Sequence, residues 1–124
     1  MKKNNQKNLP SNQDIEKYDL LNDMFNALFI EMKQLSKSKQ ETELNQFKVK
    51  KVNEILKKIK ELLSEQPTIE FLELLDDETL PRYSDSVLIL AQYRTALNQF
   101  REKYYYKDSD DHFAKFRWHT KEIP

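Results

Sequence analysis

Apolar residues recur at Ile15, Tyr18, Leu21, Met24, Phe25, Leu28, Phe29, Met32 and Leu35, with mostly polar residues between them. Steps of three and four gather these side chains on one face only if the backbone turns by about 100° per residue, so the pattern predicts helix A over about 12–36. Ser11, three residues before Asp14, offers an N-cap with a short acidic N3 partner.

A second stripe, Leu44, Phe47, Val52, Ile55, Leu56, Ile59, Leu62 and Leu63, predicts helix B, entered through a Ser38–Glu41 capping box and stopped by Pro67. The short connection Lys37–Gln40 predicts an antiparallel hairpin of A and B. Thr68 is expected to cap a short helix C whose run Ile69, Phe71, Leu72, Leu74, Leu75 is apolar almost all round, hence buried on more than one side. Asp76-Asp77-Glu78 and Pro81 mark a loop.

Helix D is expected from Ser84 or Asp85, on Val87, Leu90, Tyr93, Leu97, Phe100 and Tyr104, ending in the tyrosine run 104–106. After the polar break Lys107–Asp111, Ser109 or Asp110 is placed to cap a final helix E carrying Phe113, Phe116, Thr120 and Ile123. No segment alternates with period two for long enough to predict a strand, and no repeat is visible. The expected fold is all-α: one helical bundle of about five helices over residues 11–124, with a long N-terminal hairpin, behind a flexible polar tail over residues 1–10. Its expected core is Phe25, Leu28, Phe29, Ile55, Ile59, Leu72, Leu90, Tyr93, Leu97 and Phe116.

Composition narrows the chemistry. The 124 residues include no glycine, where average usage would place about nine. Glycine is the default where the backbone needs positive φ or must approach a ligand closely, so phosphate-cradling loops and nucleophile elbows lose their usual residue. Cysteine is also absent, which excludes disulfides, thiol catalysis and thiolate metal sites and fits a reducing, cytoplasmic setting. The basic N-terminus has no apolar run before Pro10, and no stretch approaches the ~20 apolar residues of a membrane span.

Lysine plus arginine equals aspartate plus glutamate at 21 each, so no global field draws the chain to nucleic acid or an anionic membrane. The balance is local: Leu44–Lys60 holds six lysines against Glu54, and Glu65–Asp85 seven acids against Arg82. Such faces are either ordinary solvated helix surfaces or a dipolar surface that matches a partner.

Catalytic and metal-binding groups are few. His112 and His119, with Asp108 near the first, lack a third strong ligand at helical spacing. The acid clusters Asp76-Asp77-Glu78 and Asp108-Asp110-Asp111 fall in expected loops, where solvent keeps carboxyls ionised and equivalent rather than split into acid and base. The reading is therefore no catalytic residue, no metal, no cofactor and no small-molecule substrate. Aromatic and basic residues interleave from Arg101 to Lys121, which suits base stacking and phosphate contact, but four acids in the same stretch oppose it. Aromatic and arginine residues off the core stripes, Tyr83, Tyr105, Tyr106, Trp118, Arg82, Arg94 and Arg117, are the types that protein interfaces concentrate.

The second half, with its short leucine-rich run Ile69–Leu75, an acidic loop, Val87-Leu88-Ile89-Leu90-Ala91-Gln92-Tyr93-Arg94 on a long helix, and an aromatic-basic end from Asp111-His112-Phe113 to Ile123, resembles the bacterial effector-associated domains, helical modules of the death-like kind. The resemblance covers about residues 55–124. It departs from the family at Gln92, where arginine is usual, and at Tyr104–Lys107, where glycine is usual. It implies homotypic or adaptor contacts that recruit defence or signalling effectors, here as a free-standing adaptor.

The functional expectation is a non-enzymatic, cytoplasmic protein-interaction module that binds itself or a heterologous partner, through Lys50, Lys57 and Lys58 on one face and Tyr105, Arg117 and Trp118 at another edge. A phage- or plasmid-borne inhibitor or immunity protein with one tight partner is an alternative. A nucleic-acid binder using the Lys48–Lys60 face is another.

Overall fold

Ser11 starts the first helix as its spacing to Asp14 predicts. Its Oγ accepts the Asp14 N–H at 3.0 Å while the Asp14 carboxylate accepts the Ser11 N–H at 3.0 Å, closing both halves of a capping box. In the computed structural model, which describes residues 9–108 and 115–122, helix α1 runs Asn12–Lys39. It overruns the expected end, and Lys37 and Lys39 in its last turn suit the negative end of the helix dipole.

Ser38 therefore lies inside α1 and caps nothing downstream. Helix α2 spans Gln46–Leu62, and its cap is Asn45, whose Oδ1 accepts the Lys48 N–H at 2.8 Å. The delay has a long-range cause: residues 40–44 are zipped to 81–84. Leu44 N–H donates to Pro81 O at 2.9 Å, Tyr83 N–H to Thr42 O at 2.9 Å and Ser84 N–H to Gln40 O at 3.1 Å. Backbone groups that an earlier first turn would have used are spent on this connection.

Helix C does not form. Pro67–Phe71 is a 3₁₀ turn with proline in its first positions, Leu72 is extended, and residues 72–76 join neither a helix nor a strand. This stretch is held by side chains from both flanking helices. Asn53 of α2 pairs with the Leu75 backbone, and the Tyr93 hydroxyl donates to Glu73 O at 2.6 Å. Leu72 and Leu75 are buried, whereas Phe71 is exposed.

Helix α3 spans Tyr83–Tyr104. It packs on α1, which also packs on α2, and Phe25, Val49, Leu56, Ile59, Leu63, Leu90, Tyr93 and Leu97 are fully enclosed between them. Phe29 and Leu72 join them as expected, while Leu28 and Ile55 are half-buried at the edge. At Phe47 the expected stripe fails: it is exposed with Lys51 over its ring, and Val49 takes the inward position.

The C-terminal region departs most from expectation. Where helix E was expected, Phe116–Trp118 is a strand, β2, antiparallel to β1, Tyr105–Lys107. Aromatic residues fit a pleated surface well, and the register Tyr105↔Trp118, Lys107↔Phe116 sets Tyr105, Phe116 and Trp118 on one face. Tyr105 and Phe116 stack with centroids 5.4 Å apart and planes 9° from parallel. Phe116, expected in the core, is 58% exposed. Ser109, Asp110, His112, Phe113 and Ile123 lie outside the described residues.

The first and last described segments are tied together. Lys121 N–H donates to Pro10 O at 2.9 Å, and Asn12 N–H to the Glu122 carboxylate at 3.0 Å. Leu9 and Pro10, assigned to the polar tail on sequence, are buried. Among the described residues no helix is long and apolar enough to cross a membrane.

Candidate functional site

Helix α1 carries more apolar residues than the core covers. Ile15, Tyr18, Leu21, Phe25, Phe29 and Met32 face inward, but Leu20 and Met24, one turn apart, remain 61% and 46% exposed. With Leu21 of α1 and Ile55 and Leu62 of α2 they line a groove of ≈ 500 Å³. Asp14, Lys17, Glu54, Lys58 and Glu61 stand around it. Met24 belongs to the apolar stripe that predicts helix A; the structure leaves it on a wall of this groove.

The residues selected from sequence are divided among three places. Lys58 stands at the α1–α2 groove. Lys50 and Lys57 line a different depression beside exposed Phe47, with Glu54 and Asp77 in the same lining. Tyr105 and Trp118 line a third hollow, between α1 and α3. Arg117 is exposed and paired with Asp108, Nε to Oδ2 at 2.7 Å. Trp118 is half-buried against Tyr18 (5.3 Å between centroids), Tyr105 (4.9 Å) and Phe100 (6.1 Å), so it seals an edge of the core as well as facing the hollow. Of the other off-core residues, Tyr83 is buried and Arg82 pairs with Glu41 at 3.0 Å.

The third hollow, ≈ 620 Å³, was not foreseen. One wall is Tyr18, Asp19, Asn22 and Asn26 of α1; the other is Arg94, Asn98 and Arg101 of α3, with Tyr105 and Trp118 of the ribbon. Spacings of three and four put each set on one side of its helix. Arg94 lies over the Phe25 ring at 5.6 Å, and its guanidinium donates to Asn22 Oδ1 at 2.6 Å and to Asn26 Oδ1. Its Nε is buried and makes no hydrogen bond of good geometry, although the Tyr18 hydroxyl stands beside the group. Burial pulls the Arg94 pKa below the usual arginine value, against the opposing effect of Tyr18, and burial pushes the Tyr18 hydroxyl upward against the opposing charges of Arg94 and Arg101.

Sequence reasoning flagged Arg94 as lying off the core stripe. Asn22 and Asn26 left one signal, their i, i+4 spacing, matched by Arg94 and Asn98 on the facing helix. His119 is exposed against the Tyr106 ring, and His112 lies outside the described residues. Among the described residues no three histidine or acidic side chains are gathered where they could hold a metal ion. In comparisons with protein-family models, with curated proteins and with solved structures, nothing matches this chain.

Proposed function

We propose that this chain is a non-enzymatic protein-interaction module whose α1–α2 groove takes an amphipathic helix of a partner protein. The observation that carries the reading is the exposed pair Leu20 and Met24, set in an apolar groove whose surroundings are charged. An isolated exposed leucine is ordinary, but contiguous apolar surface ringed by polar residues marks interaction sites.

A groove between two packed helices is the shape a further helix fills in a bundle. In this reading α1 and α2 form the antiparallel hairpin, and the partner lies along it. The α1 wall from Asp14 to Met24 is about 15 Å long at 1.5 Å per residue, enough for roughly three turns of partner. Three carboxylates (Asp14, Glu54, Glu61) stand there against two ammonium groups (Lys17, Lys58), so the lining carries one net negative charge. A helix with apolar residues at i, i+4 and i+7 and basic flanks matches it.

The lysine face favours a protein over nucleic acid. Glu54 lies 3.8 Å from Lys51, and Glu54 and Asp77 share the depression of Lys50 and Lys57, where they would repel phosphate. An adaptor role in defence or signalling, of the kind the death-like resemblance implies, is consistent with this groove.

The test compares the wild-type chain with the double variant Leu20→Asp, Met24→Asp in co-purification from the host. The captured protein is then purified and its helical segment titrated by calorimetry. Binding of that segment that weakens at least tenfold in the variant supports the reading. Equal binding by both chains, loss only on charge reversal at Lys50 and Lys57, or residue-specific turnover of a substrate overturns it.

A further inference from the structure

The hollow between α1 and α3 holds an excess of hydrogen-bond donors and positive charge. Arg94 has only donors, so the carboxamide oxygens of Asn22 and Asn26 must face it, and both amide nitrogens are left over. Neither nitrogen donates to any described group. Arg101 lies over the Tyr105 ring at 4.5 Å and makes no ion pair with a described carboxylate; nor does Arg94. Against these two cations the lining supplies one acid, Asp19, leaving one net positive charge.

A partly buried guanidinium served by two neutral carboxamides and a tyrosine hydroxyl, with no carboxylate paired to it, is an uncommon arrangement. Taking a charge out of water is costly unless a counter-charge or full hydrogen bonding replaces the solvent, and here Nε stays unsatisfied. A carboxylate from the fold itself would have solved the problem at either asparagine. Asparagine instead preserves the positive potential and leaves two amide donors over in the lining.

We propose that this hollow binds a small ligand bearing an oxyanion, a phosphate or carboxylate group, received by Arg101, the Arg94 edge and the amide nitrogens of Asn22 and Asn26. Guanidinium groups suit this chemistry because their forked donors match two oxygens of one anion. Asn98 and the Trp118 edge face whatever carries the anion, and the volume of ≈ 620 Å³ is ample for a sugar-sized body. The hollow shares no residue with the α1–α2 groove, so occupancy of either can be tested without the other.

Trp118 is the one tryptophan in the chain and lines the hollow, so its fluorescence reports occupancy. The full chain is titrated with inorganic phosphate, glucose 6-phosphate and glucuronate, with glucose and with sodium chloride of matched ionic strength as controls. A saturable Trp118 response to the anions alone is expected. Equal affinity for phosphate and glucose 6-phosphate identifies a bare-anion site; tighter binding of the sugar phosphate or of glucuronate identifies a site that also reads the body.

Arg101→Gln is expected to weaken binding about 10- to 100-fold, the loss of a charge-assisted hydrogen bond. Asn22→Asp gives Arg94 the missing counter-charge, so it is expected to raise the unfolding midpoint while abolishing the response. Absence of a saturable response up to roughly ten times a millimolar Kd, a response shared by chloride, or one unchanged in both folded variants overturns the proposal.

Discussion

Asn53 and Leu75 form a two-point clamp: the carboxamide nitrogen donates to the Leu75 carbonyl at 2.9 Å, and Oδ1 accepts the Leu75 N–H at 2.9 Å. One side chain thereby satisfies both backbone groups of a residue whose own side chain is buried and whose neighbours offer no ladder. The clamp fixes Leu75 in the core and docks the whole 72–76 segment on α2.

Replacing Asn53 by alanine strands a buried N–H and C=O. Such groups cost about 1–3 kcal/mol each when left dry, reduced here by partial access to water, so a loss near 2 kcal/mol is expected. Urea unfolding of Asn53→Ala against the parent measures it. Asn53→Asp, which keeps the acceptor and loses the donor, is expected to fall between the two.

Ser11→Ala removes one half of the α1 capping box and is expected to cost about 1 kcal/mol. Ser38→Ala, in the box that sequence spacing suggested but the fold does not use, is expected to change stability by less than about 0.5 kcal/mol. The thermal midpoints of the two variants separate a formed cap from a sequence pattern that only looks like one.

That pair of serines shows which parts of the fold were legible. Ser11 and Asp14 need only each other, and the stripes of α1 and α3 need only the helical period, so both could be read locally. Ser38 lost to hydrogen bonds made with residues some forty positions away. The 3₁₀ turn and the segment after it depend on Asn53 and Tyr93, each about twenty residues from its partner. Phe116 and Thr120 keep the four-residue step of a helical face, but such steps also arise by chance in an aromatic-rich stretch. Only pairing with Tyr105–Lys107 reveals the strand.

The functional surfaces divide in the same way. Trp118 and Tyr105 stood out by residue type alone. The exposure of Leu20 and Met24 is not legible, since an apolar stripe does not state how much of itself a neighbour will cover. Asn22 and Asn26 look like the polar side of a surface helix until α3 brings Arg94 against them.

The ribbon makes a contrast between two aromatic residues two positions apart. Trp118→Ala removes contacts with Tyr18, Phe100 and Tyr105 and is expected to cost about 3 kcal/mol, the low end for loss of a large aromatic because the ring is half-exposed. Phe116→Ala loses mainly one stacking partner and is expected to cost about 1 kcal/mol or less. A helix E with Phe116 in the core would reverse the order, so chemical denaturation of the two variants distinguishes the architectures.

Alkaline stability follows from Tyr93, whose hydroxyl is buried and donates to Glu73 O. Burial, with the Glu73 charge adding to it, holds its pKa well above the ordinary value of 10.0. The unfolded chain releases this proton near pH 10 while the folded chain keeps it. The contribution is therefore complete below pH 10 and lost as pH rises toward the folded value. The free energy of unfolding is expected to fall with increasing slope above pH 10, as measured by urea titrations at stepped pH. Tyr93→Phe removes both the hydrogen bond and the titrating group: it should be less stable than the parent at neutral pH by about 1 kcal/mol, with a shallower alkaline decline. Parallel declines in the two proteins would assign the alkaline limb to other groups, of which Tyr18, also held above its ordinary value by burial, is the first to test.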